Sequence, residues 1–300
     1  MVGTGLSAQL GILIKSANAF ENGFKLSKLV FDKTGTLTTG KMAVVDIQTQ
    51  LHIDDFLCLV YCAEDASEHH IAQSITLHIK SKIPQRTLNQ YRSINFEAEP
   101  GRGISCTLKQ NNETWNVMIG NLTQMHNSKI EMPLTIESTK QDHESKGHTV
   151  VFVAINNQYA GLIAVSDIIK KDAKEAIQSL HKLGIKVAMV SGDQYLTCKY
   201  IAHQLGITEV HAGITPAGKK SLVKEMQNVD VVGMCGDGVN DAAALVQSDF
   251  GIAVFGGTGV AIEAADIVLM RDSLEDVLKA VYLCRAIYQR IRMNFMWATL

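Results

Sequence analysis

Residues 28–38 read KLVFDKTGTLT, and the fold follows from that stretch. Leu29, Val30 and Phe31 form an unbroken apolar run, the pattern of a parallel strand buried on both faces, which breaks at Asp32 into a turn of Gly and Thr. Two other stretches repeat the design, IKVAMVSGD at 185–193 and DVVGMCGDGVND at 230–241. In open α/β sheets ligands gather beyond the carboxyl ends of the strands, so all three strand ends are candidate sites. Helical periodicity lies between them. DAKEAIQSLHKLG (172–184) places Ala176, Ile177, Leu180 and Leu183 on one face and closes on Gly184, and GKKSLVKEMQ (218–227) aligns Leu222, Val223 and Met226. Strands alternating with helices predict an α/β fold with a doubly wound parallel sheet.

The rhythm lapses between residues 44 and 157. That stretch is polar, carries Pro84, Pro100 and Pro133, and contains a helix-like segment at 54–80 and strand-like GISCTL and WNVMIG. Strand candidates resume at HTVVFVAI (148–155) and YAGLIAVSD (159–167). We therefore expect a second, α+β domain inserted after the first strand of the α/β domain. The expected division is 1–21, a membrane-proximal N-terminal segment; 22–43 and 158–282, the α/β domain; 44–157, the insert; and 283–300, the start of a membrane-entering helix. A length of 300 residues also suits two domains of ~150 each.

Composition narrows the function. The chain is 46% hydrophobic and 19% charged, enough apolar content for real cores. Its 28 basic and 30 acidic residues give a net charge of −2, which argues against a nucleic-acid binder. Six cysteines without a CxxC pair fit a reducing compartment better than a disulfide framework. No stretch reaches the ~18 apolar residues of a membrane span. The end, RAIYQRIRMNFMWATL, nevertheless places three arginines before an aromatic, apolar finish, the pattern of a helix entering a bilayer.

Chemistry concentrates at the strand ends. Asp32 is expected to be exposed at its strand tip, suited to act as a nucleophile or metal ligand. Lys33 and the hydroxyls of Thr34 and Thr36 supply positive charge and donors for an anion. In GDGVND, Asp237 and Asp241 straddle Asn240; with Asp32 they form a hard oxygen site suited to Mg²⁺. A plainer reading makes DGVND a helix cap, but capping needs one such residue and three are present. Ser191, Gly192 and Asp193, with Lys219 after a Pro-started turn, complete a cradle for a phosphoryl group. Phosphoryl transfer is mostly positioning and charge neutralisation, and Asp32, Thr34, Asp167, Ser191, Lys219, Asp237 and Asn240 supply both.

The set DKTGTLT, SGD, TPAGK and GDGVND resembles the haloacid-dehalogenase-like (HAD-like) catalytic unit of P-type ion-pumping ATPases, along nearly the whole chain. The resemblance implies ATP and Mg²⁺ as cofactors, with the metal held by Asp32, Asp237 and the Thr34 backbone carbonyl. Soluble phosphatases of the superfamily usually carry an acid two positions after the nucleophile; Thr34 cannot activate water in that way, so an aspartyl-phosphate should persist. SEHHIAQSI (67–75), GRG (101–103) and IGN (119–121) resemble the nucleotide domain of the heavy-metal (P1B) subgroup. By that likeness Glu64, Glu68, His69, Gly101, Gly103, Gly120 and Asn121 line the adenosine pocket. A metal site from His69 and His70 is disfavoured, because adjacent helical residues point about 100° apart. MVGTG…GILIK and GTGVAIEAADIVLM look most like copper pumps. The implied partners are ATP, an actuator and transmembrane domains outside this chain, and a copper ion as cargo; the implied setting is the cytoplasmic side of a membrane.

The chain departs from the family pattern at His70, Ile168, Ser191, Gly218 and Gly259, which bears on nucleotide affinity and hinge stiffness. None of these changes removes the nucleophile, the acids or the lysine. Two rival readings are a free-standing HAD phosphatase, marked by brisk turnover of a generic phosphomonoester, and a nucleotide-binding regulatory module, marked by ATP binding without phosphorylation.

Overall fold

The computed structural model describes residues 2–299 except Glu68, Asn89, Pro100 and Asn112. Its strands in chain order are β1 (Ile12–Ile14), β2 (Lys28–Asp32), β3 (Thr38–Thr49), β4 (Arg92–Glu99), β5 (Gly103–Gln110), β6 (Glu113–Gly120), β7 (Thr149–Ile155), β8 (Gln158–Ile169), β9 (Lys186–Val190), β10 (Glu209–His211), β11 (Val232–Gly236), β12 (Phe250–Ala253) and β13 (Ile267–Leu269). The chain divides into two compact units, residues 1–40 with 169–300 and residues 41–168.

The first unit holds a seven-stranded sheet in the order β1-β13-β12-β11-β2-β9-β10, parallel except for β1 against β13. All five residues of β2 are buried, because β11 and β9 flank it and helices cover both faces. Leu29 and Phe31 enter one core with Ile177, Leu180 and Val281, while Val30 enters the other with Val223 and Leu245. From β2 the chain builds outward to β9 on one side and later returns through β11 on the other. The end of β2 is thus a topological switch point, where open α/β sheets place their ligands. The doubly wound sheet is as expected, with an addition: residues 12–14, read as part of a separate N-terminal segment, extend its edge.

The second unit holds a six-stranded sheet, β3-β8-β7-β6-β5-β4, in which β4 to β8 form an antiparallel meander. Its boundaries correct the expected ones. Strand β8 pairs with β7 in this sheet, so the insert runs from 41 to 168 rather than from 44 to 157. Alternate residues of β7 and β8 serve two cores: Val153, Ile163 and Val165 face one, Phe152, Ala154 and Leu162 the other. A sheet covered on both faces writes continuous apolar runs, which is why these strands imitate buried parallel ones. The helix expected over 54–80 is two helices, Ile53–Glu64 and His70–Lys82.

The last helix, Glu275–Thr299, is continuous through the boundary expected at 283. Phe24 packs on Tyr288, and Phe295, Met296 and Trp297 are exposed. Among the described residues no helix is long and apolar enough to cross a membrane.

Candidate active site

Asp32 ends β2 and, contrary to the expected exposure, is only 5% exposed. The loop that follows closes over it: Thr38 Oγ1 donates to the Lys33 carbonyl at 3.0 Å, and Gly35 turns the chain at φ +72°. A Cβ on Gly35 would stand 1.8 Å from Asp237 Oδ2, so a side chain there would displace the second acid.

Lys219 organises the centre. Thr215 caps helix Pro216–Met226 by accepting the Gly218 N–H at 3.2 Å, and Pro216 fits the first turn because its missing N–H would be unpaired there anyway. That fixes Lys219 in the first turn, where its ammonium donates to Asp32 Oδ1 at 2.5 Å and to Asp241 Oδ1 at 2.6 Å. All three side chains are buried. The capping reading of GDGVND fails: Gly238 caps helix Val239–Gln247 without a side-chain bond, and Asp241 turns to Lys219 instead.

Electrostatics favour a cation. Asp32, Asp237 and Asp241 each bring a carboxylate oxygen within 4.8 Å of the others. Burial, and next the charge of Asp241, push the Asp32 carboxyl up to about 7, against the Lys219 ammonium that holds it down. Asp237 is raised for the same two reasons. Lys219 is raised because Asp32 and Asp241 outweigh the cost of its burial. Lys219 bonds two of the three carboxylates and Asp237 forms no ion pair among the described residues, so the all-oxygen donor set fits a hard divalent ion such as Mg²⁺. Thr34, expected to add its carbonyl, lies in the same loop in a non-helical conformation.

Other expected residues divide. Ser191 is buried and its Oγ accepts the Asp193 N–H at 3.1 Å, which leaves the hydroxyl hydrogen to donate. Lys33 forms an ion pair with Asp193, which ties the loop after β2 to the loop after β9. Gly192 and Asn240 are exposed. The Thr36 hydroxyl is buried with no partner among the described residues, a spare polar group in the loop. Asp167 stands near the end of β8, in the second unit.

The residues expected to line the adenosine pocket lie in the second unit. Asn121 ends the turn after β6: its Oδ1 accepts the Gln124 N–H at 3.0 Å, and its Nδ2 donates to the Gly101 carbonyl at 2.9 Å. Gly101, Gly103, Gly120 and Asn121 are thereby tied into one corner. A residue the sequence did not single out fills it. Gln124 is buried, its Oε1 has no hydrogen-bond partner among the described residues, and a Cβ on Gly120 would fall 1.6 Å from that oxygen. No local motif marks Gln124; only the two facing glycines hint at a close neighbour. Glu64 is buried at the end of helix Ile53–Glu64, and burial pushes its carboxyl up to about 7. His69 caps the next helix, its Nδ1 accepting the Ile71 N–H at 3.2 Å. Glu68 lies outside the described residues.

The stretch that carries the buried strand-end aspartate, its lysine and the two further acids is matched by a family model: the haloacid dehalogenase-like hydrolases, over residues 29–249. The chain belongs to the haloacid dehalogenase-like hydrolases. Within that family it is similar to a copper-transporting ATPase of Oryza sativa subsp. japonica, 40% identical over 99% of this chain and 31% of that protein. It is also 40% identical to a copper-exporting P-type ATPase of Staphylococcus aureus, over 99% of this chain and 36% of that protein. Among solved structures, a zinc-transporting PIB-type ATPase in its E2.Pi state superposes with a TM-score of 0.86 at 32% identity, covering 97% of this chain and 46% of that one. The likeness of this HAD-like chain to heavy-metal P-type ATPases is therefore shown, and the chain spans about a third of the length of the curated relatives.

Proposed function

We propose that this chain is the catalytic region of a heavy-metal P-type ATPase, in which Asp32 takes the γ-phosphoryl group of ATP, and that the cargo of the whole pump is Cu⁺. The observation that carries this reading is the buried Asp32–Lys219–Asp241 triplet with Asp237 beside it, at the switch point of the sheet. A lone pair on the Asp32 carboxylate forms the bond to the γ-phosphorus as the bond to the bridging oxygen breaks, and ADP leaves with that electron pair. Lys219 favours the ionised form of Asp32 against the effect of its burial and aims it, and its ammonium offsets charge on the phosphoryl oxygens in a loose transition state. The Ser191 hydroxyl, whose hydrogen is left to donate, is a donor for the same oxygens. Asp241 acts through Lys219 as a positioning residue. Mg²⁺ bound by Asp32, Asp237 and the Thr34 backbone carbonyl would supply charge neutralisation between two anions.

Thr34 has no titratable group to activate water, so the acyl phosphate outlives that of a phosphatase. Glu64, His69, Gly101, Gly103, Gly120 and Asn121 would take the adenosine, and the buried acceptor of Gln124 adds a polar contact. Copper as cargo is supported by the copper-transporting relatives at 40% identity, against 32% for the zinc-transporting structure. The actuator and transmembrane partners of this reading lie outside the chain.

The test is incubation with γ-labelled ATP and Mg²⁺, acid quench, then hydroxylamine. An acid-stable, hydroxylamine-labile label absent from Asp32→Asn is the expected result. Label retained by that variant, or fast turnover of a generic phosphomonoester, would overturn the reading. For the cargo, Cu⁺ but not Zn²⁺ should stimulate ATP turnover in the full-length protein.

A further inference from the structure

A second cluster of chemistry-bearing side chains lies in the second unit, at the end of helix Ile136–Ser145. That helix closes on Gly147 at φ +75°: the Gly147 N–H donates to the Glu144 carbonyl at 2.9 Å and the His148 N–H to the His143 carbonyl at 3.0 Å. These two bonds make a Schellman cap, which sets the side chains at 143 and 148 next to each other; that pair is usually apolar. Here both are imidazoles. Their Nδ1 atoms are 3.1 Å apart, with ring centroids 5.4 Å apart.

His143 is 5% exposed, and its Nε2 lies 3.3 Å from Asp46 Oδ2 on β3. Asp46 is itself held, accepting from Ile47 N at 2.9 Å and from Gln48 Nε2 at 2.8 Å. A carboxylate beside Nε2 favours the His143 tautomer with hydrogen there, which directs the Nδ1 lone pair toward His148. This is how ligating histidines are commonly oriented. Two imidazole nitrogens bound to one tetrahedral Zn²⁺ at 2.0–2.1 Å lie about 3.3 Å apart, close to the spacing found. His148 is half-buried, so solvent reaches the pair, and burial together with the neighbouring His143 lowers its pKa, which keeps the ring neutral as ligation requires. Lys146 is the nearby opposing charge, and Asp142 holds it at 2.6 Å. The carbonyl end of the helix also favours a cation.

We propose that His143 and His148 form a binding site for a divalent transition-metal ion of the imidazole-preferring class, with Asp46 as the carboxylate that orients His143 and solvent completing the coordination. In the metal-free pair His148 donates its Nδ1–H to His143. Binding needs only the other neutral tautomer of His148, with hydrogen on Nε2, so both Nδ1 lone pairs meet the ion and no proton is released. A bound ion would pin the helix end to the start of β7.

The experiment is a Zn²⁺ titration of the full chain by calorimetry, with Mg²⁺ in excess to occupy the acidic centre around Asp237. Wild type should bind one equivalent. His148→Gln should weaken binding at least tenfold, Asp46→Asn by about 10–100-fold, and Asp237→Asn not at all. Undiminished affinity in His148→Gln, or no zinc binding by wild type, overturns the proposal. Imidazole NMR of the wild type decides independently of variant folding. Zinc must shift the resonances of both His143 and His148, and shifts confined to other histidines would refute the site.

Discussion

Replacing Glu64 with Gln should stabilise the second unit above pH 7 and do much less in mild acid. Glu64 is 5% exposed, and burial pushes its carboxyl from 4.5 up to about 7. Between those two values the folded chain keeps a proton that the unfolded chain has lost, so stability falls as pH rises. The protonated carboxyl's contribution is intact below 4.5 and gone above about 7. At about 1.4 kcal/mol per pH unit, the full separation costs about 3 kcal/mol above pH 7, and under about 1 kcal/mol at pH 5. Gln preserves the shape and removes the charge, so the variant should gain roughly 2–3 kcal/mol at pH 8. Urea unfolding followed by Trp115 fluorescence reads this directly in a Trp297→Phe background, since Trp115 lies on β6 in the same unit. Equal effects at pH 5 and pH 8, or a loss at pH 8, would refute the reasoning. A carboxylate kept where it weakens the fold fits a residue retained for a ligand.

Lys219→Met leaves Asp32 and Asp241 buried without their shared cation and should cost about 3–5 kcal/mol at pH 7, partly recovered at pH 5.5 where Asp32 takes up a proton; urea unfolding at both pH values checks it. Gly35→Ala forces a Cβ to within 1.8 Å of Asp237 Oδ2 at a φ of +72° and should abolish Mg²⁺-dependent labelling while circular dichroism shows the fold intact. Gly120→Ala displaces the Gln124 amide and should weaken ATP binding at least tenfold by calorimetry. Labelling from acetyl phosphate, which needs no adenosine pocket, should be unchanged.

Much of the first unit was legible in its strand ends. KLVFD, IKVAMV and the run before GDGVND each lie in the sheet, because a strand buried on both faces needs an unbroken apolar run. Lys219 was legible from the Thr-Pro start of its helix. Its grip on Asp32 and Asp241 was not, because it joins residues 187 and 22 positions apart through packing that no local pattern records. The burial of Asp32 escaped for the same reason, since it depends on the following loop folding back. β8 was misplaced because a sheet with a core on each face spells the same apolar run as a parallel strand. The His143–His148 pair was hidden by its five-residue spacing, which means proximity only once Gly147 has closed the helix.

Borohydride reduction of the acid-quenched, ATP-treated chain tests the central claim most directly, because it converts an aspartyl-phosphate to homoserine at the residue that carried it. Peptide mapping should find homoserine at position 32, only when ATP and Mg²⁺ were both present. Homoserine at another aspartate, or none at all from a chain that has consumed ATP, would contradict the account.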